Sequence, residues 1–395
     1  MRRVPLLDGL RGYFLVFMLI THLFGGRYAL VRINHAELGF VQDAQGFVFL
    51  SGLLVGALYG RRMLRDGFSA AAGLIWQRAA MLYLCTLALL LSVLLLRLIL
   101  PGADLIWSTW LGVLPTGTPA AAITAALLLY QPTFFDILPQ YVLYLAAAPP
   151  LLWLTLNGHA RAVLAGSALL WLAMQFGAQD VLADAINGVL GLWQEELRIR
   201  SAFNPLAWQI VFMSAMVLGA LWTQGRLDVG AILDPQRPAR AIVAAIVVAF
   251  FCAWRLAFTF GLVQPGVMAA FQHFENRPEF SVVFLTNFVA LGYLVAWLLV
   301  AGGATRSRAV QAISTALNRL FNLPFLRLLG RHSLQVYAWH VLVVYVAVWV
   351  DGWFGPFDSL TRSAIGLACV ALLAVPSAIV EWRDRRREAV AVPAE

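Results

Sequence analysis

The sequence predicts an all-α, polytopic integral membrane protein: about ten transmembrane helices, a short interfacial or re-entrant helix, and both termini in the cytoplasm. Three observations carry this. First, 61% of the 395 residues are apolar and only 12% are charged, with a mean hydropathy of +0.79. Soluble domains carry about 25% charged residues, and so much apolar surface cannot be hidden in one globular core. Second, runs of the length needed to cross hydrocarbon, about 20 residues, recur along the whole chain. Third, every basic residue is arginine, and most arginines stand between those runs.

The expected spans lie near 10–25, 44–60, 75–100, 136–156, 160–176, 205–223, 240–262, 281–302, 332–350 and 360–381. A shorter run, 120–130, is too brief to cross and reads as the interfacial or re-entrant helix, which needs protein or water around its backbone. With the amino terminus inside, seventeen loop and tail arginines fall on the cytoplasmic side and six (Arg27, Arg32, Arg198, Arg200, Arg277 and Arg362) on the other. That bias follows the positive-inside rule, so the net charge of +8 is a topology signal and not a nucleic-acid footprint. Asp8 and Arg11 crowd the front of the first run and no small-residue cleavage site follows it, so a retained span is expected rather than a signal peptide. The domain plan is a single membrane domain over 1–382 and a basic cytoplasmic tail over 383–395, expected to be disordered. Trp107, Trp110, Trp193, Trp353, Phe354 and Phe357 in the outward loops read as an interfacial aromatic belt or as a sugar-stacking wall. Cys85, Cys252 and Cys369 have no paired spacing, and no metal site is expected.

Ionisable side chains inside spans are costly and are functional candidates by default. Carboxylates are nearly absent there, with Asp8 and Asp136 at span edges, so a buried acid relay lacks its parts. Arginine and histidine remain: Arg11 and His22 in the first span, Arg78 and Arg97 in the third, Arg255 in the seventh, and Arg331, His332 and His340 in the ninth. Arg11 and His22 are eleven residues apart, three turns plus about 20°, or roughly 16 Å of rise. They share one face with Asp8, a natural ion-pair partner for Arg11. Such a stripe suits a long, thin donor with an anionic head at one surface and a reactive end deep in the membrane. The competing structural reading is a snorkelling arginine and a histidine bonded between helices.

Leu7-Asp8-Gly9-Leu10-Arg11-Gly12, with His22 following, closely resembles the first-helix signature of the membrane acyltransferase-3 superfamily. Phe47-Val48-Phe49-Leu50-Ser51-Gly52, then Arg78, then Gly330 to His340 with Ser333 and Tyr337, resemble its later motifs in the right order. Asp136-Ile137-Leu138-Pro139-Gln140-Tyr141 and Phe203-Asn204-Pro205-Leu206-Ala207-Trp208-Gln209 resemble the OpgC-type branch, named for succinyl transfer onto osmoregulated periplasmic glucans. The superfamily's Trp-x-Leu-x-x-Glu segment lacks its glutamate in this chain.

The resemblance implies O-acyl transfer at a bacterial inner membrane, from cytoplasmic acyl-CoA, with succinyl-CoA favoured, to a periplasmic glucan. Acetyl transfer to another envelope polysaccharide is the alternative within enzymes, and a transporter of an anionic small molecule is the alternative outside them. Acyl transfer needs a base for the incoming hydroxyl and donors for the developing oxyanion. His22 is the candidate base or acyl carrier. Arg11 and Arg78 are candidates for the donor phosphates, and Ser51 for the thioester oxygen. His340 and Tyr337 are expected to support His22 or the acceptor. Arg255 or Arg97 is the expected counter-charge for a distal carboxylate. Asp136 and Tyr141 are placed to meet an acceptor hydroxyl, and Asp136 reads equally as a helix cap.

Overall fold

The computed structural model describes residues 4–272 and 274–391; Arg2 and Arg3, counted above for topology, lie outside them. Among the described residues there is no β-strand, only an isolated bridge between Tyr130 and Arg200. Nine stretches are long and apolar enough to cross a membrane, so the chain is an all-α, multi-pass membrane protein.

The first helices are α1 (Pro5–His22), α2 (Asp43–Asp66), α3 (Phe68–Ile99) and the short α4 (Pro119–Ala126). Then come α5 (Ile137–Leu154), α6 (Ala160–Gln175), α7 (Ala178–Trp193), α8 (Pro205–Thr223), α9 (Ala239–Thr259) and α10 (Val282–Val300). The last are α11 (Arg308–Phe321), α12 (Pro324–Arg331), α13 (Ser333–Phe354), α14 (Ser359–Leu372) and α15 (Ala374–Ala391). The expected fourth and fifth spans form one continuous stretch, 137–175, broken where Asn157 and Gly158 leave helical geometry. Gly158 sits at φ +94, in the region where a side chain is sterically penalised.

Local signals explain the boundaries. Pro5 opens α1, as proline suits a first helical position, and the early start puts Asp8 and Arg11 inside the helix. Gln42 and Gln45 close a reciprocal capping box on α2. In the Phe203–Gln209 stretch, Asn204 Oδ1 accepts from the Leu206 and Ala207 amides and Pro205 follows at the first helical position of α8. Thr118 Oγ1 caps α4 by accepting from Ala121 N–H at 3.3 Å, and eight residues are too few to span.

Taking the side where α1 begins as proximal, the alternation of spans puts the α2–α3 turn, α11 and α12 on that side. The connections around α4 and α7 lie on the distal side. Short helices occupy loops in which the sequence signalled none: α7 within 177–204, and α11 and α12 within 303–331. The expected disordered tail is corrected, because residues 383–391 continue α15. Local contacts sustain it: Arg385 pairs with Glu381 one turn back at 3.6 Å, and Arg386 lies 3.9 Å from the Trp382 ring. The remaining tail residues, 392–395, fall outside the described part. Trp107 is corrected too. It is fully buried, donating Nε1–H to the Tyr345 carbonyl at 3.1 Å, so it serves neither as belt nor as sugar wall.

Three helix pairs, α2 with α8 and α1 with both α11 and α12, touch backbone to backbone. A Cβ at Gly52 or Gly56 would stand 2.3 and 2.0 Å from the carbonyl oxygens of Phe212 and Met216 on α8. At Gly9 and Gly12 it would meet the Phe321 and Leu326 carbonyls, and at Gly330 it would stand 1.7 Å from Asp8 O. Small residues at such crossings let helices approach where lipid supplies no hydrophobic drive between them. Gly330→Ala is therefore expected to push α12 off α1, costing about 1–3 kcal/mol. Gly73→Ala, with open space at its Cβ, should leave stability within about 1 kcal/mol. Thermal unfolding of both purified variants checks this, and equal melting temperatures would reject the packing role.

Candidate active site

A cavity of about 250 Å³ lies among α1, α2, α3, α5, α8 and α13, below the ~300–1,000 Å³ of ordinary ligand pockets. Arg11 of α1 and Arg78 of α3 both line it, with Ser51 of α2, Tyr141 of α5, and Ser333 and Tyr337 of α13. Residues from five motifs far apart in sequence thus meet on one wall. Helical periodicity does this locally: Phe47 and Ser51 are one turn apart on α2, and Ser333, Tyr337 and His340 follow one another along a single stripe of α13.

The Arg11 guanidinium lies over the Phe47 ring at 5.5 Å, a cation–π contact that holds it against the cavity wall. Ser51 donates its hydroxyl to the Phe47 carbonyl at 2.9 Å. The Tyr141 hydroxyl is buried at the wall beside the Ser51 hydroxyl. Phe47 stacks between Tyr141 and Tyr337, at 6.1 and 6.3 Å. Tyr337 uses its hydroxyl on the Phe134 carbonyl at 3.0 Å, which makes it a strut and leaves no proton for a substrate.

The stripe of α13 ends on a pair of imidazoles. His340 is fully buried; its Nδ1 bonds the Tyr337 carbonyl, and its Nε2 lies 3.3 Å from His22 Nδ1. A carbonyl only accepts, so His340 Nδ1 carries the proton and Nε2 is the bare nitrogen of a neutral ring. It then accepts from His22 Nδ1–H, and this leaves His22 Nε2 unprotonated. No described residue bonds that nitrogen, and His22 is only partly buried. The His22 ring stacks on Phe134 at 4.1 Å, and Trp110 meets the other edge of Phe134 at 5.0 Å. Phe134 is held at φ +73, a strained value for a residue with a side chain.

The segment carrying Phe134 is pinned from its neighbours: Tyr345 donates to the Thr133 carbonyl at 3.2 Å, and Arg200 to Thr133 Oγ1 at 3.1 Å. Asp136, at the entrance to α5, does not cap that helix. Its carboxylate accepts from Ala202 N–H and from Ser201 Oγ at 3.3 Å, tying 129–136 to the strand of chain that leads into α8. Burial holds this carboxyl above the usual carboxylate range, against the pull of those hydrogen bonds and of Arg277.

Other candidates lie elsewhere. Asp8 is buried on α1 with its carbonyl against Gly330, and it does not line the cavity. Arg255 lies over Phe40 at 5.7 Å and pairs with Glu275 at 3.6 Å, also away from the cavity lining, and Arg97 pairs with Asp104. The sequence reading missed Phe134, whose backbone conformation no composition signal announces. It also missed Asp43, buried at the start of α2 and holding Asn34 Nδ2 at 3.0 Å; it stands one residue before the expected span. Arg277 was counted for topology alone. The charge of Arg277 reaches His22, Asp43 and Asp136.

No curated protein and no solved structure matches the chain. One family model does: that described as OpgC protein matches residues 2–385, nearly the entire length. It takes in the α1 stripe, the cavity wall and the imidazole pair together. The chain belongs to the OpgC protein family.

Proposed function

We propose that this protein is a membrane acyltransferase that moves a succinyl group from cytoplasmic succinyl-CoA to hydroxyls of a periplasmic glucan. In this reading both termini face the cytoplasm of a bacterial inner membrane, and the proximal side is cytoplasmic. The observation that carries the reading is the hydrogen-bonded imidazole pair with a bare His22 Nε2, together with a cavity lined by Arg11, Arg78 and Tyr337 of the same α13 stripe. Arginine forks match phosphate oxygens, so the head of the donor sits at the proximal mouth while its arm follows the α1 and α13 stripes.

The acceptor enters from the distal side, and His22 Nε2 removes its hydroxyl proton as the oxygen attacks the thioester carbonyl. The carbonyl oxygen gains charge beside the neighbouring hydroxyls of Tyr141 and Ser51, the donors on this wall suited to an oxyanion contact. The C–S bond then breaks, the ester remains on the glucan, and the proton passes from His22 to the leaving thiolate. His340 keeps the tautomer correct throughout, as an orienting partner does for a catalytic histidine.

His22→Ala is expected to lower transfer by about 10²–10⁴-fold while the purified variant still folds; near-normal turnover of that variant would remove His22 as the base. Arg11→Ala should weaken binding of CoA itself by about tenfold, read in a titration without acceptor, and unchanged affinity would end its phosphate role. The mass of the glucan with and without the protein tests the reaction: the expected gain is one succinyl unit per modification, and an unmodified glucan sinks the reading.

A further inference from the structure

We infer that Arg277 is the specificity-determining residue for the acyl group, pairing with the free carboxylate of a dicarboxylic acyl chain while its thioester end faces His22. This rests on the acyl-transfer reading above and names the substrate class that the site selects.

A carboxylate taken into a protein interior needs a counter-charge; Arg97 and Arg255, expected to provide it, are already engaged, as are Arg362 and Arg200. Arg97 pairs with Asp104, Arg255 with Glu275 at 3.6 Å, and Arg362 with Asp351 at 2.8 Å. Arg200 is committed to the Thr109 carbonyl, the Tyr130 hydroxyl and Thr133. The Arg277 guanidinium has no hydrogen bond or ion pair among the described residues and is accessible to solvent.

Its position is nevertheless built. Trp208 Nε1 donates to the carbonyls of Arg277 and Pro278, at 3.3 and 3.1 Å, and Asn204 N–H donates to Pro278 O at 2.9 Å. The guanidinium rests over the Phe203 ring at 5.0 Å, a platform that leaves its edge donors pointing free. Phe203 is next to Ala202, whose amide holds Asp136 at the entrance to α5, and α5 carries Leu138 and Tyr141 into the cavity. The two acids nearest in charge are held by other donors: Asp136 by Ala202 and Ser201, Asp43 by Asn34. An anchored, open fork on the distal side, over Phe203 and with its charge reaching His22, is the geometry that reads a terminal carboxylate, and a two-carbon acyl group offers it nothing.

The test uses the full-length protein in lipid nanodiscs with succinyl-CoA and acetyl-CoA as donors and the glucan as acceptor. Arg277→Gln should lower kcat/KM for succinyl-CoA by about tenfold or more and change acetyl transfer by less than about twofold. Arg277→Lys, which keeps the charge and loses the fork, should fall between, and Arg255→Gln should leave the ratio of the two donors unchanged. Equal losses for both donors, an unchanged ratio in both Arg277 variants, or a rise in acceptor KM alone would overturn the assignment while leaving acyl transfer intact. A wild-type protein that transfers neither group overturns the acyl-transfer reading itself, and this assignment with it.

Discussion

The position of every functional group in this protein depends on how closely α1 can approach α12. Gly12 of α1 and Gly330 of α12 have no side chain, and backbone oxygens of Leu326 and Asp8 on the facing helix occupy the space where each Cβ would be, while Gly9 meets Phe321 at the end of α11 in the same way. Contact at this range locks both the rotation and the height of α1, because any turn of the helix would drive a neighbouring side chain into a carbonyl. With rotation locked, helical geometry does the rest: Arg11 faces the cavity on α3 and α5, and His22 arrives at the imidazole of α13. The first-helix signature therefore joins two chemistries on opposite faces, glycines that dock and polar groups that serve the site.

Polar groups deep in a bilayer are tolerated when their partners are built in. Most of the site's buried polar atoms are satisfied in series: Tyr345 to Thr133, Tyr337 to Phe134, His340 to Tyr337, and His22 to His340. Each bond fixes the next, and the series ends on a single bare nitrogen. Such networks are rigid because a broken member leaves an uncompensated group in a low-dielectric setting. Phe134, strained and stacked on His22, is the joint where the distal loop meets this series. The Tyr141 hydroxyl stands outside it, buried beside Ser51 on the wall that a donor arm would pass.

The fold was legible because membrane insertion is a matter of composition and length. The spans, the short helix at 119–126 and the α1 stripe all follow from local periodicity. The amphipathic helices of 303–331 were not legible, since they are too short and too mixed to register as apolar runs. Nor was the continued helix of the tail, which depends on the ring of Trp382 and on Arg331 from another helix pairing with Glu381 at 3.0 Å.

By itself, the sequence determined that the chain crosses a membrane many times and that Arg11 and His22 share one helical face, since both are consequences of residue type and a fixed 100° step. Only the tertiary structure decided which imidazole nitrogen is bare, which arginine keeps an open fork, and that Asp136 ties a loop instead of capping a helix. Those outcomes depend on contacts between residues tens to hundreds of positions apart, such as His22 with His340 and Arg277 with Phe203. Hydrogen-bond valence is assigned between neighbours in space, and no local pattern along the chain encodes which neighbour arrives.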